Sequence, residues 1–177
     1  MASTSSTKTN TTLYDDGSKW KEEFFDVKTN DVFLMIEYYK GGDKKCRDLY
    51  YDKDSGRAKF VRHRLDGPAL VEYYQNGVTK SEEWFIKGKC HRLDDPATIE
   101  YDDTGRILIE RWYVNDKAHR INGPAFIIYH PNGTIVFEAW YNNNIPHRVG
   151  GPATIWYNAY GSISKEEWYN DGIEVIV

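Results

Sequence analysis

Residues 110–133 read ERWYVNDKAHRINGPAFIIYHPNG, and the distinctive residues of this stretch recur at intervals of 28 positions along the chain. Four sets of residues keep this interval: a His-Arg pair, a Gly-Pro-Ala step (Asp-Pro-Ala in one repeat), a glutamate and a tryptophan. They are His63-Arg64, His91-Arg92, His119-Arg120 and His147-Arg148; Gly67-Pro68-Ala69, Asp95-Pro96-Ala97, Gly123-Pro124-Ala125 and Gly151-Pro152-Ala153; Glu82, Glu110, Glu138 and Glu166; and Trp84, Trp112, Trp140 and Trp168. A residue that recurs in every repeat is a poor candidate for the single nucleophile or base of one active site. The pattern therefore predicts a repeat protein that works through an extended surface.

Each repeat contains stretches that alternate in the manner of β-strands. Ala125, Ile127 and Tyr129 share one face and have equivalents in the other regular repeats, whereas the opposite face, with Phe126 and Ile128, varies between repeats. Alternation with one constant apolar face is typical of a strand packed on one side. The abundance of Tyr, Trp and Phe suits a pleated, half-buried surface as well. The sequence therefore predicts an all-β fold.

Two kinds of turn separate the strands. The first contains a glycine where a short hairpin needs a left-handed residue, and the second has two residues that tolerate positive φ. The glycines are Gly77, Gly105, Gly133 and Gly161; the two-residue turns are Lys87-Gly88, Asn115-Asp116, Asn143-Asn144 and Asp171-Gly172. We predict an elongated, single-layer antiparallel meander of stacked β-hairpin repeats of about 28 residues each, with a bend or bulge at the Gly-Pro step.

The hairpin pattern begins upstream of the first His-Arg pair. Residues 14–25 align with residues 74–85, residues 36–42 align with residues 71–77, and residues 48–50 align with residues 83–85. We predict a repeat domain over residues 13–177, with degenerate units in 13–62 and regular units in 63–177. Residues 52–62 form a longer connection in this scheme. The Ser/Thr-rich residues 1–12 are expected to be a flexible tail.

Composition excludes several classes of function. The net charge of −4 gives no electrostatic case for nucleic-acid binding. The sequence has no apolar run of the ~18 residues that a membrane span needs and no signal-peptide pattern. Cys46 and Cys90 occupy unrelated places in the repeat, so they indicate neither a disulfide framework nor a Cys-x-x-Cys site. We expect an intracellular protein, cytoplasmic or carried in a virion.

The residues Glu110, Trp112, Asn115 and His119, closing at Gly133, resemble the pattern of MORN-type repeats and of the related YwqK-like antitoxin modules. Parallel sets extend the resemblance over roughly residues 14–172. The longer His-Arg-x-x-Gly-Pro-Ala form looks like a MORN variant of large DNA viruses and protists. The resemblance implies a single-layer sheet of stacked hairpins that serves as a scaffold, a dimerisation platform or a membrane-apposed linker.

The His-Arg pairs invite a metal or an anion-binding hypothesis. Equivalent histidines lie two strands apart, roughly 9 to 10 Å, which is too far for several of them to share one zinc ion. We therefore expect structural histidines and no metal, with pH-sensitive surface contacts as an alternative. We expect Arg92 to pair with Glu110, and Arg120 with Glu138, across the strands of one repeat. An arginine stripe that captures an anionic partner is the alternative.

The tryptophans are expected in the core, because large aromatic residues dominate burial in a thin sheet. The alternative is a stacking surface for sugars or peptides. Neighbouring acids such as Glu82 and Glu83 point to opposite faces of a strand and so cannot flank a glycosidic bond. The sequence also has no nucleophile-elbow, P-loop or dinucleotide-binding motif. We therefore expect no enzyme activity and no cofactor.

The function expected from these features is a non-catalytic scaffold that mediates protein–protein interaction or assembly, in a homo-oligomer or in a larger structure such as a viral particle. Exposed sheet ends favour such self-association. One alternative is an adaptor for a membrane surface or lipid headgroup, which the acidic charge disfavours. Another is an antitoxin-like module that neutralises a partner.

Overall fold

The structure is a computed structural model, and it describes residues 7–42, 44–53 and 60–175. These ranges contain strands and turns but no helix, and thus no helix long and apolar enough to cross a membrane. The chain divides into two compact units, Met1–Gly88 and Lys89–Val177. Neighbouring strands of each unit's main sheet pair antiparallel in one layer. The predicted all-β, single-layer meander of hairpins is therefore confirmed.

Unit 1 (Met1–Gly88) contains the degenerate repeats and the first regular one. Its sheet runs in the order β1-β2-β3-β4-β6-β7, and β5 pairs with the far end of β4. The strands are β1 Thr7–Leu13, β2 Lys19–Asp26, β3 Val32–Tyr38, β4 Lys45–Lys53, β5 Phe60–Arg62, β6 Leu70–Tyr73, β7 Thr79–Glu83 and β8 Phe85–Ile86.

Unit 2 (Lys89–Val177) contains the remaining regular repeats. Its sheet runs in the order β10-β11-β14-β15-β18-β19-β20, and the short pairs β12-β13 and β16-β17 stand outside this path. The strands are β9 Lys89–Cys90, β10 Thr98–Tyr101, β11 Ile107–Arg111, β12 Tyr113–Val114, β13 Lys117–Ala118, β14 Phe126–Tyr129, β15 Ile135–Ala139, β16 Tyr141–Asn142, β17 Ile145–Pro146, β18 Thr154–Tyr157, β19 Ile163–Asn170 and β20 Ile173–Val175.

Both predicted kinds of turn are present. Gly133 closes the β14-β15 hairpin with φ of 85°. The side-chain oxygen of Asn132 accepts a hydrogen bond from Thr134 N, two residues further on, at 3.0 Å. Asn143 and Asn144 form the two-residue turn between β16 and β17 with φ of 52° and 71°. Positive φ at both central residues is the geometry of the tight hairpin turn that matches strand twist.

One face of each sheet holds the repeated apolar residues, and we call it the inner face. In unit 2 it carries Ile99, Ile127 and Ile155, which alternate across the strands with Glu110 and Glu138. Those isoleucines are buried, and so are the alanines that precede their strands, with Ala97 and Ala153 fully inaccessible. The opposite side of the sheet is called the outer face. The constant and mixed faces anticipated from sequence alternation therefore correspond to the inner and outer faces.

The predicted flexible tail overlaps a strand. Residues 7–12 belong to β1, which pairs with β2 from Thr7↔Asp26 onward, and only residues 1–6 of the predicted tail lie outside the described residues. Every side chain of β1 is exposed. An edge strand of this kind is held by backbone hydrogen bonds, which leave no apolar periodicity in the sequence. Part of the predicted connection over residues 52–62 also pairs, since Val61 lies opposite Asp52, and residues 54–59 lie outside the described residues.

The alignment of residues 48–50 with 83–85 is wrong by one position. Asp48 lies opposite Val71 on the inner face, and Val71 also lies opposite Glu82. Asp48 is therefore the equivalent of Glu82, and Tyr50 takes the place of Trp84. A slip of one residue exchanges the two faces of a strand, so residue type alone does not fix this register.

Candidate functional site

The arginine of each His-Arg pair holds its loop in place. The Cζ atoms of Arg120 and Arg148 each lie 3.8 Å from the ring centroid of a tryptophan, Trp112 and Trp140 respectively. Their Nη1 atoms donate to the carbonyl oxygens of Pro124 and Pro152 at 3.2 Å. Such a stack combined with a charge-assisted bond fastens the loop to the inner face.

In the other two loops the arginine again donates to the proline carbonyl, with local changes. Arg64 lies over Tyr50 at 4.0 Å and donates to the carbonyl of Pro68 at 3.3 Å. Arg92 donates to the carbonyl of Pro96 at 3.2 Å and also to Asp95 Oδ2 at 2.7 Å. Asp95 stands where the other three loops have a glycine. Its carboxylate pairs with Arg92, so the larger side chain is accommodated beside the arginine.

The histidines support the two-residue turns. Nδ1 of His63 accepts a hydrogen bond from Lys87 N at 3.1 Å, His91 accepts from Asn115 N at 3.2 Å, and His147 accepts from Asp171 N at 3.1 Å. Nδ1 of His119 is buried without a partner among the described residues. Within those residues, no group of three or more His, Cys, Asp or Glu side chains is arranged to hold a metal ion.

The predicted ion pairs of Arg92 with Glu110 and of Arg120 with Glu138 are wrong. The arginines bind within their own loops, and the glutamates accept hydrogen bonds from tyrosines instead. Tyr129 donates to Glu110 Oε2 at 2.6 Å, and Tyr157 donates to Glu138 Oε2 at 2.7 Å. On the inner face, the tyrosine hydroxyl of the neighbouring strand already lies within hydrogen-bond distance of each glutamate.

The tyrosine–carboxylate bond is also present in the degenerate repeats. Tyr73 donates to Asp48 Oδ2 at 2.9 Å, and Tyr38 donates to Glu22. Burial first, and then this bond, raises the pKa of the Tyr73 hydroxyl, while the bond from Tyr38 lowers the pKa of Glu22. The bond therefore recurs more widely than the His-Arg pair, which is missing from these units.

The tryptophans differ in burial. Trp112 is buried with 5% of its surface exposed and belongs to a core cluster with Ala125 and Ile127. Trp84, Trp140 and Trp168 are half-buried, and Glu166 of the last hairpin is exposed. Since the described periodic residues chiefly bind one another, a partner-binding surface is better sought among the residues around them.

One periodic set of exposed side chains was not predicted from the sequence. The residue after each arginine is aliphatic and 68 to 87% exposed: Leu65, Leu93, Ile121 and Val149. Their 28-residue spacing was available as a signal. Ile121 and Val149 border an open cleft of about 400 Å³ that Trp140 also lines.

The outer face of unit 2 carries a contiguous apolar surface, which we call the outer-face patch. Its side chains are half-buried, and three of the aromatic rings touch in sequence. The Phe126 and Phe137 centroids are 5.6 Å apart in an edge-to-face arrangement, and the Phe137 and Trp156 centroids are 5.0 Å apart. The patch comprises Ile109, Phe126, Ile128, Phe137 and Trp156 from four strands, β11, β14, β15 and β18.

Charged side chains border the patch on two sides. Arg111 lies 5.1 Å from the Phe126 centroid and pairs with Glu100 at 2.6 Å. On the other side, Lys165 lies 4.7 Å from the Trp156 centroid and pairs with Glu167 at 2.6 Å. An apolar centre with a polar rim is the general anatomy of a protein–protein interface.

The patch departs from the repeat pattern. At the position of Ile128 the other regular repeats have Glu72, Glu100 and Trp156, and at the position of Phe137 they have Ser81, Ile109 and Lys165. In unit 1 one row of the outer face carries ion pairs, with Arg47 Nε 3.5 Å from both Glu37 and Glu72. The neighbouring row is apolar but aliphatic, with Met35, Leu49 and Leu70 paired in a line and without an aromatic ring. The mixed outer positions were visible in the sequence, but only the strand register brings these five residues together.

No protein-family model matches this sequence, and no curated protein matches it either.

Proposed function

We propose that this protein is a non-catalytic binding module that presents the outer-face patch to a protein partner, as a scaffold component of a larger assembly. The observation that carries this proposal is the non-periodic cluster of apolar side chains at Phe126, Phe137 and Trp156, on one face of a single-layer sheet.

The residues that keep the repeat interval support the proposal by their contacts. Arg64, Arg120 and Arg148 lie over aromatic rings, and three histidines accept hydrogen bonds from backbone N–H groups. The inner-face acids accept hydrogen bonds from tyrosine hydroxyls. These contacts give the periodic residues a role in the fold. The outer-face patch then accounts for specificity toward a partner. In this scheme the periodic residues maintain the sheet, and the non-periodic residues of the patch recognise the partner.

The chemistry of the patch also favours a protein over a small molecule. The patch spreads over four strands of one sheet face, with its three rings on neighbouring strands, whereas small-molecule sites are concave pockets that enclose their ligand. Aromatic residues and arginine are enriched at protein interfaces. The resemblance to MORN-type repeats agrees with a scaffold role, including one in a viral particle.

Site-specific photocrosslinking in the intact assembly or host cell tests this proposal. A benzophenone amino acid at position 137 is expected to give a discrete protein adduct on irradiation. The same probe at Tyr160, which is 94% exposed and lies outside the patch, serves as the matched control. An adduct from position 160 but none from position 137 would contradict the proposal.

A further inference from the structure

We infer that the occupant of the outer-face patch is a second copy of this chain, docked face to face about a two-fold axis that runs parallel to the strands between β14 and β15. The inference rests on the proposed function, because it names the partner of the same patch. It follows from the order of side chains across the sheet.

One row of side chains crosses the outer face from acid to base. Cross-strand pairing places its members in a line: Glu100, Ile109, Ile128, Phe137, Trp156 and Lys165. Four apolar residues lie in the middle, with a carboxylate at one end and an ammonium group at the other. When a second copy of the row is placed against the first in the opposite direction, each charged residue meets an opposite charge and each apolar residue meets an apolar one.

The proposed axis brings each half of the row onto the other half. Glu100 then faces Lys165 of the second copy, and the central Ile128 faces Phe137 of the second copy. Each contact occurs twice, which is the defining property of an isologous interface. The sheets pack face to face with their strands approximately aligned, as in a two-sheet sandwich.

Charge selects this axis over the other two-fold axis in the plane of the sheet. An axis along the row would place Glu100 against Glu100 and Lys165 against Lys165, and such like-charge contacts oppose association. The strand-parallel axis also brings Arg111, in the strand beside Glu100, near Glu167 of the second copy. The side chains of Glu100 and Lys165 are 42% and 60% exposed, so both are accessible to a second copy. Each already pairs within the chain, with Arg111 and Glu167 respectively, so the second copy extends two existing ion pairs into a four-charge network.

The size of the face indicates a weak dimer. Six strands at about 4.8 Å spacing and about five residues of each strand give a footprint of roughly 400 Å² per copy. This is smaller than the ~800 Å² per partner of a standard stable interface. We therefore expect the dimer to dissociate on dilution, and the experiment must cover a wide range of concentration.

Sedimentation equilibrium of the full chain provides the first test. The mass is expected to rise from monomer to dimer with concentration, and Phe137→Asp is expected to weaken the dimer at least tenfold. Ile121→Asp places the same charge on an exposed aliphatic residue outside the patch, and it should leave the dimer unchanged. Thermal melts establish that each variant is folded.

Charge exchange tests the geometry. Glu100→Lys alone and Lys165→Glu alone should each weaken the dimer, because each creates two like-charge contacts. An equimolar mixture of these two variants should form a heterodimer in which both contacts are again of opposite charge. The doubly exchanged protein should regain self-association for the same reason.

A wild-type chain that stays monomeric at millimolar concentration overturns the inference, and so does a dimer that none of the patch variants weakens. Single charge variants that behave as the wild type, or a mixture without heterodimer, overturn the proposed axis. A monomer whose position-137 probe captures a different protein overturns self-docking and leaves the proposed function standing.

Discussion

The guanidinium group of Arg120 contacts both the ring of Trp112 and the backbone of Gly123. Its Cζ lies 3.8 Å from the ring centroid, and a Cβ added to the glycine would lie 2.9 Å from the same atom. With the bond to Pro124, this explains why His-Arg is followed at a fixed distance by Gly-Pro. The motif describes one loop closed by one arginine.

The first prediction concerns the space beside that arginine. Gly123→Ala should lower the free energy of unfolding by about 1 kcal/mol, because the added methyl group displaces Arg120. In an Arg120→Ala background the same substitution should cost almost nothing, giving a coupling energy of about 1 kcal/mol. Urea denaturation of the four proteins measures this cycle. Additive effects of the two substitutions would show that the contact is without energetic consequence.

Trp112 should be the most sensitive of the aromatic positions. Trp112→Ala is expected to cost on the order of 3 kcal/mol, because it leaves a cavity in the core of a central repeat and removes the surface on which Arg120 stacks. Trp168→Ala, at a half-buried position of the last hairpin, is the comparison and should cost less. Chemical denaturation curves of Trp112→Ala that overlay those of the parent would assign this residue to the surface.

The fold could be predicted from the sequence because the same pattern of strands and turns recurs in every regular repeat. The alternation around Ile127 and the turn residues Asn143 and Asn144 both follow from local rules, and both are present as expected. Strand β1 could not be predicted, since its side chains are all exposed and leave no apolar alternation in the sequence.

The contacts of the periodic residues were harder to predict than their positions. The constant spacing of Arg120 and Glu138 suggested an ion pair, but each side chain found a nearer partner, Pro124 O and the Tyr157 hydroxyl. The outer-face patch was also beyond the sequence. Phe137 and Trp156 are neighbours only because β15 and β18 pair in one particular register.

The tyrosine–carboxylate bond should contribute measurably to stability. Tyr129→Phe removes the hydroxyl that donates to Glu110 and leaves a half-buried carboxylate without that donor. We expect a loss of about 1–2 kcal/mol in the free energy of unfolding. Tyr160→Phe, at a residue that is 94% exposed, removes the same atom and should have no effect. Equal denaturation midpoints for the two variants would argue against a structural role of the bond.

The exposed aliphatic residues of the loops should be dispensable for folding. Ile121→Ser and Val149→Ser change residues that are 84% and 87% exposed. Each substitution should alter the free energy of unfolding by less than about 0.5 kcal/mol. Thermal denaturation of the double variant provides the measurement. A loss comparable to that of Trp112→Ala would reveal contacts of these side chains in solution.

Stability should fall at alkaline pH through the inner-face tyrosines. Burial, followed by the hydrogen bond to Glu138, raises the pKa of Tyr157 from 10.0 to about 12. Burial, followed by the hydrogen bond to Glu110, raises the pKa of Tyr129. At a pH between the pKa of Tyr157 in the unfolded chain (10.0) and its pKa in the folded chain (about 12), the folded chain keeps a proton that the unfolded chain has released. The contribution of the Tyr157 hydroxyl to stability is therefore complete below about pH 10 and is lost as the pH rises toward 12.

Tyr157→Phe should remove the contribution of this residue to the alkaline loss. Urea denaturation in steps from about pH 9 to about pH 11.5 should give a smaller decline in the free energy of unfolding for the variant than for the parent. The comparison of slopes is independent of the cost of the substitution itself, because that cost is already present at the starting pH. Tyr160→Phe should keep the slope of the parent. Identical slopes for the parent and Tyr157→Phe would mean that this phenol ionises alike in the folded and unfolded chains.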